Sequence, residues 1–148
     1  MSENRVEYTR LLKNILAGQI SFSEAKNTLH NQDFGFFNML FMTAFRQLTF
    51  IKNDVLPMFV KKKIPHKQEI LTYILYLSIT ELLFMNTPDY ATVNSYVETA
   101  KVLTDKYGAN FINAVLHNVI RHKTQILAKS NQKFFSSDFL KILESDYT

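Results

Sequence analysis

The most constraining feature of the sequence is an apolar run over residues 70–85, ILTYILYLSITELLFM, in which the only charged residue is Glu81. Throughout residues 67–86 apolar side chains are not confined to one stripe, which is typical of a helix that packs against neighbours on several sides. The run is about 16 residues long, whereas a membrane-spanning helix needs about 20 apolar residues without a charge. It therefore predicts the central helix of a globular core.

Glycine and proline, the residues that most often interrupt helices, number only three each among 148 residues. Helix-favouring residues fill the long stretches between them, so we predict an all-α bundle of about seven helices. The length fits one domain, which we place at residues 1–130. A C-terminal extension over residues 131–148 is expected to contain a last helix over residues 137–145.

Local patterns place the remaining helices. Ser21 or Ser23 is expected to cap a short second helix, Asp33 a strongly apolar third helix, and Thr87 the helix that begins at Pro88. The expected helices cover residues 4–17, 23–30, 34–51, 54–60, 67–86 and 88–107, with a further helix from Asn110 onward. Tyr107 and Gly108 are expected to close the helix that begins at Pro88.

Several kinds of chemistry are excluded by residue type and spacing. The chain has no cysteine, which excludes disulfides and thiolate metal sites and fits a reducing cytosol. Gly18, Gly35 and Gly108 do not approach a phosphate-binding spacing, so no nucleotide cofactor is expected. His117 and His122 would point about 140 degrees apart on an ideal helix, which suits no shared metal ion. We therefore expect neither a cofactor nor a metal site. The first ten residues, MSENRVEYTR, are polar and do not resemble a secretion signal.

Three polar residues interrupt the apolar patterns. Asn94 follows Val93 and Asn113 follows Ile112, so each amide is expected beside or within a buried seam, where it must be hydrogen-bonded. We interpret both as side chains that cap or bridge neighbouring helix termini and so hold the helices in register, with direct contact to a ligand as the alternative. Glu81 has no second carboxylate three or four residues away, and we interpret it as a partly buried acid that pairs with a cation or a helix terminus.

Three segments carry a family resemblance. ATVNSYVETAK resembles the pattern A-x-V-N-x-x-V-E-x-A-K, and NFINAVLHNVIR resembles F-V-N-x-V-L-x-x-x-x-R. ILTYILYLSITELLFMNTP resembles the central helix and the L-L-x-x-x-x-P junction of the same family, the NusB-like RNA-binding domains. This family includes free transcription antitermination factors and the N-terminal domain of a small-subunit rRNA cytosine-5 methyltransferase. The resemblance covers about residues 5–129 and implies a helical, non-catalytic RNA-binding domain, with Asn94, Phe111 and Asn113 as structural residues.

Electrostatics also favours a polyanionic partner. The formal net charge is +4, and residues 55–68 and 121–133 contain lysine and arginine without an acid. The candidate RNA contacts are Arg5, Arg10, Lys13, Lys61, Lys62, Lys63, Glu81, Tyr90, His117, Arg121 and Lys123. Tyr8, Tyr90 and Tyr96 are candidates for stacking on unpaired bases. Arg5, Arg10, Lys13 and Glu81 join this set partly because the resemblance implies a basic first helix and a glutamate close to RNA.

Three functions are compatible with these patterns. The NAVL version of the second motif favours an rRNA-recognition domain like that of the methyltransferase, which would act with a separate catalytic domain. The runner-up is a free antitermination factor that binds boxA-like single-stranded RNA together with a small-subunit ribosomal protein. The third is a protein-interaction module that uses Phe34, Phe36, Phe37 and Phe41 as an exposed apolar patch. A membrane partner is not expected.

Overall fold

The computed structural model describes residues 2–29 and 33–134, and all regular structure in these residues is helical. The predicted all-α fold is confirmed. The α-helices are α1 (Ser2–Leu16), α2 (Phe22–Asn27), α3 (Phe34–Phe50), α4 (Leu56–Phe59), α5 (Ile70–Phe84), α6 (Asp89–Leu103), α7 (Lys106–Arg121) and α8 (Lys123–Phe134). A π-helical turn (Ile51–Val55) joins α3 to α4, and a 3-10 turn (His66–Gln68) precedes α5. The helix expected over residues 137–145 lies outside the described residues.

Helix α5 is the central element of the bundle, as its apolar sequence predicts. It contacts α1, α3, α6 and α7, and every residue from Ile74 to Leu83 is buried. Contacts on all sides explain why the run lacks a polar face. Among the described residues, no helix is both long and apolar enough to cross a membrane.

Helix α1 runs antiparallel to α5. Arg5, near the start of α1, contacts Glu81 near the end of α5, whereas Lys13 lies 3.6 Å from Glu69 at the beginning of α5. Helix α1 ends at Leu16, and the chain then turns at Gly18, whose φ of +75° is a left-handed conformation that favours glycine. The first helix is therefore held against the centre of the bundle at both of its ends.

Most of the phenylalanines predicted as a possible exposed patch belong to the core. Phe37 and Phe41 are fully buried and contact the rings of Tyr8 and Phe22. Phe36 is half-buried, and only Phe34 is exposed. These rings form the core between α1, α2 and α3, so the stacking role predicted for Tyr8 is wrong.

The N-caps agree only partly with the predictions. Asp33 caps α3 as expected, and Ser21 caps α2 in a reciprocal capping box with Glu24. Pro57 lies in the first turn of α4, where a proline costs no helical hydrogen bond. Thr87, however, donates its hydroxyl to Glu81 instead of capping α6.

The predicted boundary between α6 and α7 is wrong by several residues. Helix α6 ends at Leu103, and Asp105 caps α7 by accepting a 2.8 Å hydrogen bond from the backbone nitrogen of Gly108. Tyr107 and Gly108 therefore lie in the first turn of α7 and do not close α6. Gly108 is needed for close packing, because a Cβ at this position would collide with the side chain of Thr104.

Candidate nucleic-acid interface

A cleft lies between the N-terminal half of α7 and the loop of residues 60–65. The loop starts beside the end of α7, where the rings of Phe59 and His122 are 5.5 Å apart, and then passes the start of that helix. We call this site the basic cleft. It is lined by Lys62, Lys63, Ile64, Pro65, Gln68, Leu71, Tyr107, Gly108 and Phe111. The cleft therefore combines two lysines with apolar side chains and the aromatic rings of Tyr107 and Phe111.

Further basic residues lie at the same end of the bundle. Lys13 and His66 both contact Glu69, at 3.6 Å and 3.0 Å, which brings the end of α1 next to the segment that follows the lysine-rich loop. Lys67 is adjacent and exposed. Among the described residues, no acid lies within ion-pair distance of Lys62, Lys63 or Lys67. The positive charge of this end is therefore mostly uncompensated.

Tyr107 is a candidate site residue that the sequence interpretation missed. Its side chain is 79 % exposed and borders the cleft, whereas Phe111, one turn later, is half-buried against the core. The sequence signal for Tyr107 is Asp105, a residue type that often caps helices. A helix that starts after Asp105 places positions 107 and 111 on one face. An exposed ring beside lysines suits stacking on an unpaired base.

Two predicted RNA contacts are buried, so this part of the prediction is wrong. Arg5 is only 3 % exposed and Glu81 is fully buried, and the guanidinium donates two hydrogen bonds of 3.0 Å and 2.7 Å to the carboxylate. Thr87 donates to the same carboxylate at 3.1 Å, and Tyr96 donates a further hydrogen bond. We call these four residues the buried polar cluster. The interpretation of Glu81 as an acid paired with a cation is correct.

The surroundings of the buried polar cluster raise the pKa of both Arg5 and Tyr96. Burial alone would lower the pKa of Arg5, but the hydrogen bond to Glu81 and the neighbouring negative charge outweigh burial and raise it. Burial, and then the charge of Glu81, raise the pKa of Tyr96 well above its usual value. The Arg5 guanidinium also lies 4.6 Å from the centre of the Phe36 ring. The predicted stacking role of Tyr96 is wrong, since its ring is inside the protein.

Asn94 and Asn113 are exposed, so the prediction that they are buried bridges is wrong. Both line a surface groove between α6 and α7, which we call the amide groove. Its lining residues are Asp89, Tyr90, Val93, Asn94, Val97, Asn113, His117 and Ile120. Tyr90 is 79 % exposed and His117 is also exposed, so both of these predicted contacts are accessible.

Arg121 and Lys123 do not form one patch with the basic cleft. Lys123 forms a 3.1 Å ion pair with Asp89, and Arg121 donates to Asn118, both near the end of α7. That end is about 22 Å from the start of the helix. Arg10 is exposed on α1, and the exposed Lys61 donates to the carbonyl of Pro57 at 3.0 Å. In the described part of the chain, no group of three His, Asp or Glu residues is arranged to hold a metal ion.

Comparison with known proteins identifies one family. The model of the NusB family matches residues 2–121. The transcription antitermination protein NusB of Gloeothece citriformis is 31% identical over 87 residues, which are 58% of this chain and 41% of that protein. The protein of the same name from Cyanothece sp. (strain PCC 7425 / ATCC 29141) is 41% identical over 49 residues, 33% of this chain and 23% of that protein. The chain thus matches less than half the length of these relatives.

Proposed function

Because this chain belongs to the NusB family, we propose that it is a non-catalytic RNA-binding protein of the transcription antitermination type. Two relatives that carry the name of a transcription antitermination protein support this function over the methyltransferase-domain interpretation. The latter rests on the NAVL motif and remains a prediction. The proposed ligand is a boxA-like single strand, bound together with a small-subunit ribosomal protein.

The single observation that supports RNA binding best is the composition of the basic cleft. Lys62 and Lys63 border it, and no acid in the described ranges lies within ion-pair distance of either lysine. Tyr107 presents most of its side chain to solvent beside them. Lysines neutralise phosphates irrespective of base, while an exposed ring stacks on bases that are not paired. This combination suits single-stranded RNA better than a duplex, whose bases are already stacked.

The size of the cationic surface sets the expected strength of salt dependence. Lys62, Lys63 and Lys67 are free of ion pairs with described acids, and Lys13 is only partly engaged by Glu69. Each phosphate of a single strand that is neutralised contributes about 0.7 to the slope of log K against log salt. Three to four contacts therefore give a slope of about −2 to −3, which corresponds to moderate affinity that salt weakens strongly.

A charge-reversal experiment tests this assignment. Replacing Lys62→Glu and Lys63→Glu together should weaken binding of a single-stranded boxA-like 12-nucleotide RNA at least about tenfold at low salt. The salt slope should become smaller by about 1.4, because two phosphate contacts are lost. Fluorescence anisotropy at several salt concentrations measures both quantities.

A matched control separates the cleft from net charge. Arg46 and Lys52 are exposed on α3 and the following π-helical turn, and neither lines the basic cleft. Arg46→Glu with Lys52→Glu changes the net charge by the same amount and should keep the wild-type salt slope. Equal losses in both double variants would reject the cleft as the RNA site. Absence of RNA binding by the wild-type chain at low salt would reject the proposed function.

A further inference from the structure

We propose that the amide groove is a docking site for an extended polypeptide segment of a partner protein, with apolar side chains facing the groove. The groove shares no lining residue with the basic cleft. Binding of this segment therefore does not require RNA in the cleft. The proposal goes beyond RNA binding, because it assigns a protein ligand to a second surface.

The two asparagines provide hydrogen-bonding groups on both sides of the groove. Asn94 comes from α6 and Asn113 from α7, so exposed amides stand on both walls of the same groove. A carboxamide has both an acceptor oxygen and an NH₂ donor, so one side chain satisfies the N–H and the C=O of a single extended residue. Neither α6 nor α7 needs these side chains for its own hydrogen bonds, since both positions are inside regular helices.

The floor of the groove is apolar. Val93, Val97 and Ile120 line it, and all three are at least partly buried. Side chains alternate along an extended chain, so every second residue of a bound segment would face these apolar groups. Amides that bind a backbone and an apolar floor that accepts alternate side chains are the two requirements for recognising an extended peptide.

Charge favours a polypeptide over RNA at this surface. Among the lining residues only Asp89 has a formal charge, when histidine is counted as neutral. Lys123 lies beside the groove, but it is already paired with Asp89 at 3.1 Å. Phosphates would thus meet a carboxylate and no free lysine in the groove, in contrast to the basic cleft with Lys62 and Lys63. An uncharged or weakly basic chain is complementary to this lining.

The length of the groove limits the size of the ligand. Along α6 it extends from Asp89 to Val97, which is about 12 Å at 1.5 Å per residue. An extended chain covers this distance with about four residues at 3.3 Å each. Such a segment buries little surface, so it would be one part of a larger contact and would bind weakly when isolated.

Selection from a random peptide library displayed on phage, followed by titration with a synthetic selected peptide, tests the proposal. The full chain is labelled with ¹⁵N, and the side-chain NH₂ signals of Asn94 and Asn113 are followed. We expect both signals to shift. We expect the signal of Asn110, an exposed asparagine on α7 outside the groove, to stay in place.

Variants make the test quantitative. Asn94→Ala with Asn113→Ala should weaken the peptide about tenfold or more, because backbone hydrogen bonds are lost, whereas Asn110→Ala should leave affinity unchanged. N-methylation of the central peptide nitrogens should weaken binding similarly. The Lys62→Glu and Lys63→Glu variant should bind the peptide normally, so failure of RNA binding and failure of this proposal are distinguishable.

Three results would overturn the proposal. The library could yield no peptide that binds, or a selected peptide could bind the double asparagine variant as tightly as the wild type. Alternatively, a single-stranded 12-nucleotide RNA could shift the Asn94 and Asn113 signals and lose affinity in that variant, which would make the groove an RNA site.

Discussion

The buried polar cluster and the amide groove are two polar regions of one helical bundle, and they differ in where their hydrogen bonds go. In the cluster, Glu81 accepts hydrogen bonds from Arg5, Thr87 and Tyr96, and the charges are out of contact with water. In the groove, Asn94 and Asn113 face solvent. The cluster links α1 and α5 to the middle of α6 through Tyr96 and to the segment before that helix through Thr87, whereas the groove leaves its hydrogen-bonding capacity open to a ligand. Polar residues that have internal hydrogen-bond partners therefore stabilise this bundle, whereas polar residues that face solvent remain available for binding a ligand.

The largest expected effect comes from breaking the ion pair of the cluster. Glu81→Ala leaves the Arg5 guanidinium buried without its carboxylate and removes the acceptor of Tyr96, so we expect a loss of about 3 to 5 kcal/mol in the free energy of unfolding. Urea unfolding followed by circular dichroism measures this loss. Replacing both partners, Arg5→Met with Glu81→Leu, should recover most of it, because no unpaired charge stays inside.

A surface acid provides the control for this variant. Glu98 pairs with Lys101 at 3.0 Å, but its side chain is 45% exposed. Glu98→Ala should therefore cost less than about 0.5 kcal/mol. If Glu81→Ala cost no more than Glu98→Ala, the buried polar cluster would not be an important source of stability.

The sequence predicted what depends on local pattern. The apolar run around Ile74 predicted the central helix, and Asp33 predicted the start of α3, because periodicity and capping involve residues close in the chain. The end of α6 was misplaced because Gly108 suggested a stop. Its actual role, close packing on Thr104, is a tertiary requirement. Helix type was thus predictable from local pattern, whereas the boundary between α6 and α7 was not.

The site was less predictable than the fold. Arg5 and Glu81 are 76 positions apart in sequence, so no local pattern shows that they meet. Asn94 was misplaced for a different reason. It follows the buried Val93, but neighbours in a helix point about 100 degrees apart, so adjacency to a core residue does not imply burial. The lysines of the basic cleft were predicted from charge alone, whereas Tyr107 required the correct start of α7.

A smaller effect is expected from Tyr96, which contributes one neutral donor to the cluster. Tyr96→Phe removes its hydrogen bond to the Glu81 carboxylate but keeps the ring, so we expect a loss of about 2 kcal/mol at neutral pH. The pKa of Tyr96 is raised well above its usual value of 10.0 in the folded protein. Stability from this group is therefore fully present below about pH 10 and falls as the pH rises, since the unfolded chain releases the proton first.

The alkaline titration separates this group from the other tyrosines and the lysines. Between pH 10 and 11 the wild-type protein should lose up to about 1.4 kcal/mol more than Tyr96→Phe, which corresponds to one proton. Urea unfolding of both proteins at several pH values measures this difference. Parallel pH profiles would show that Tyr96 ionises equally in the folded and unfolded chains, contrary to its position beside a buried carboxylate.

The smallest expected effect on stability belongs to the amide groove. Asn94→Ala and Asn113→Ala should each change the free energy of unfolding by less than about 0.5 kcal/mol, and the sign should favour alanine slightly, because it is the better helix former. Buried bridging amides would instead cost about 1 to 3 kcal/mol each. Urea midpoints of the two variants decide between these values. A loss above about 1 kcal/mol would show that the asparagines have internal partners, and the amide groove would then have no free backbone-binding groups to offer a peptide.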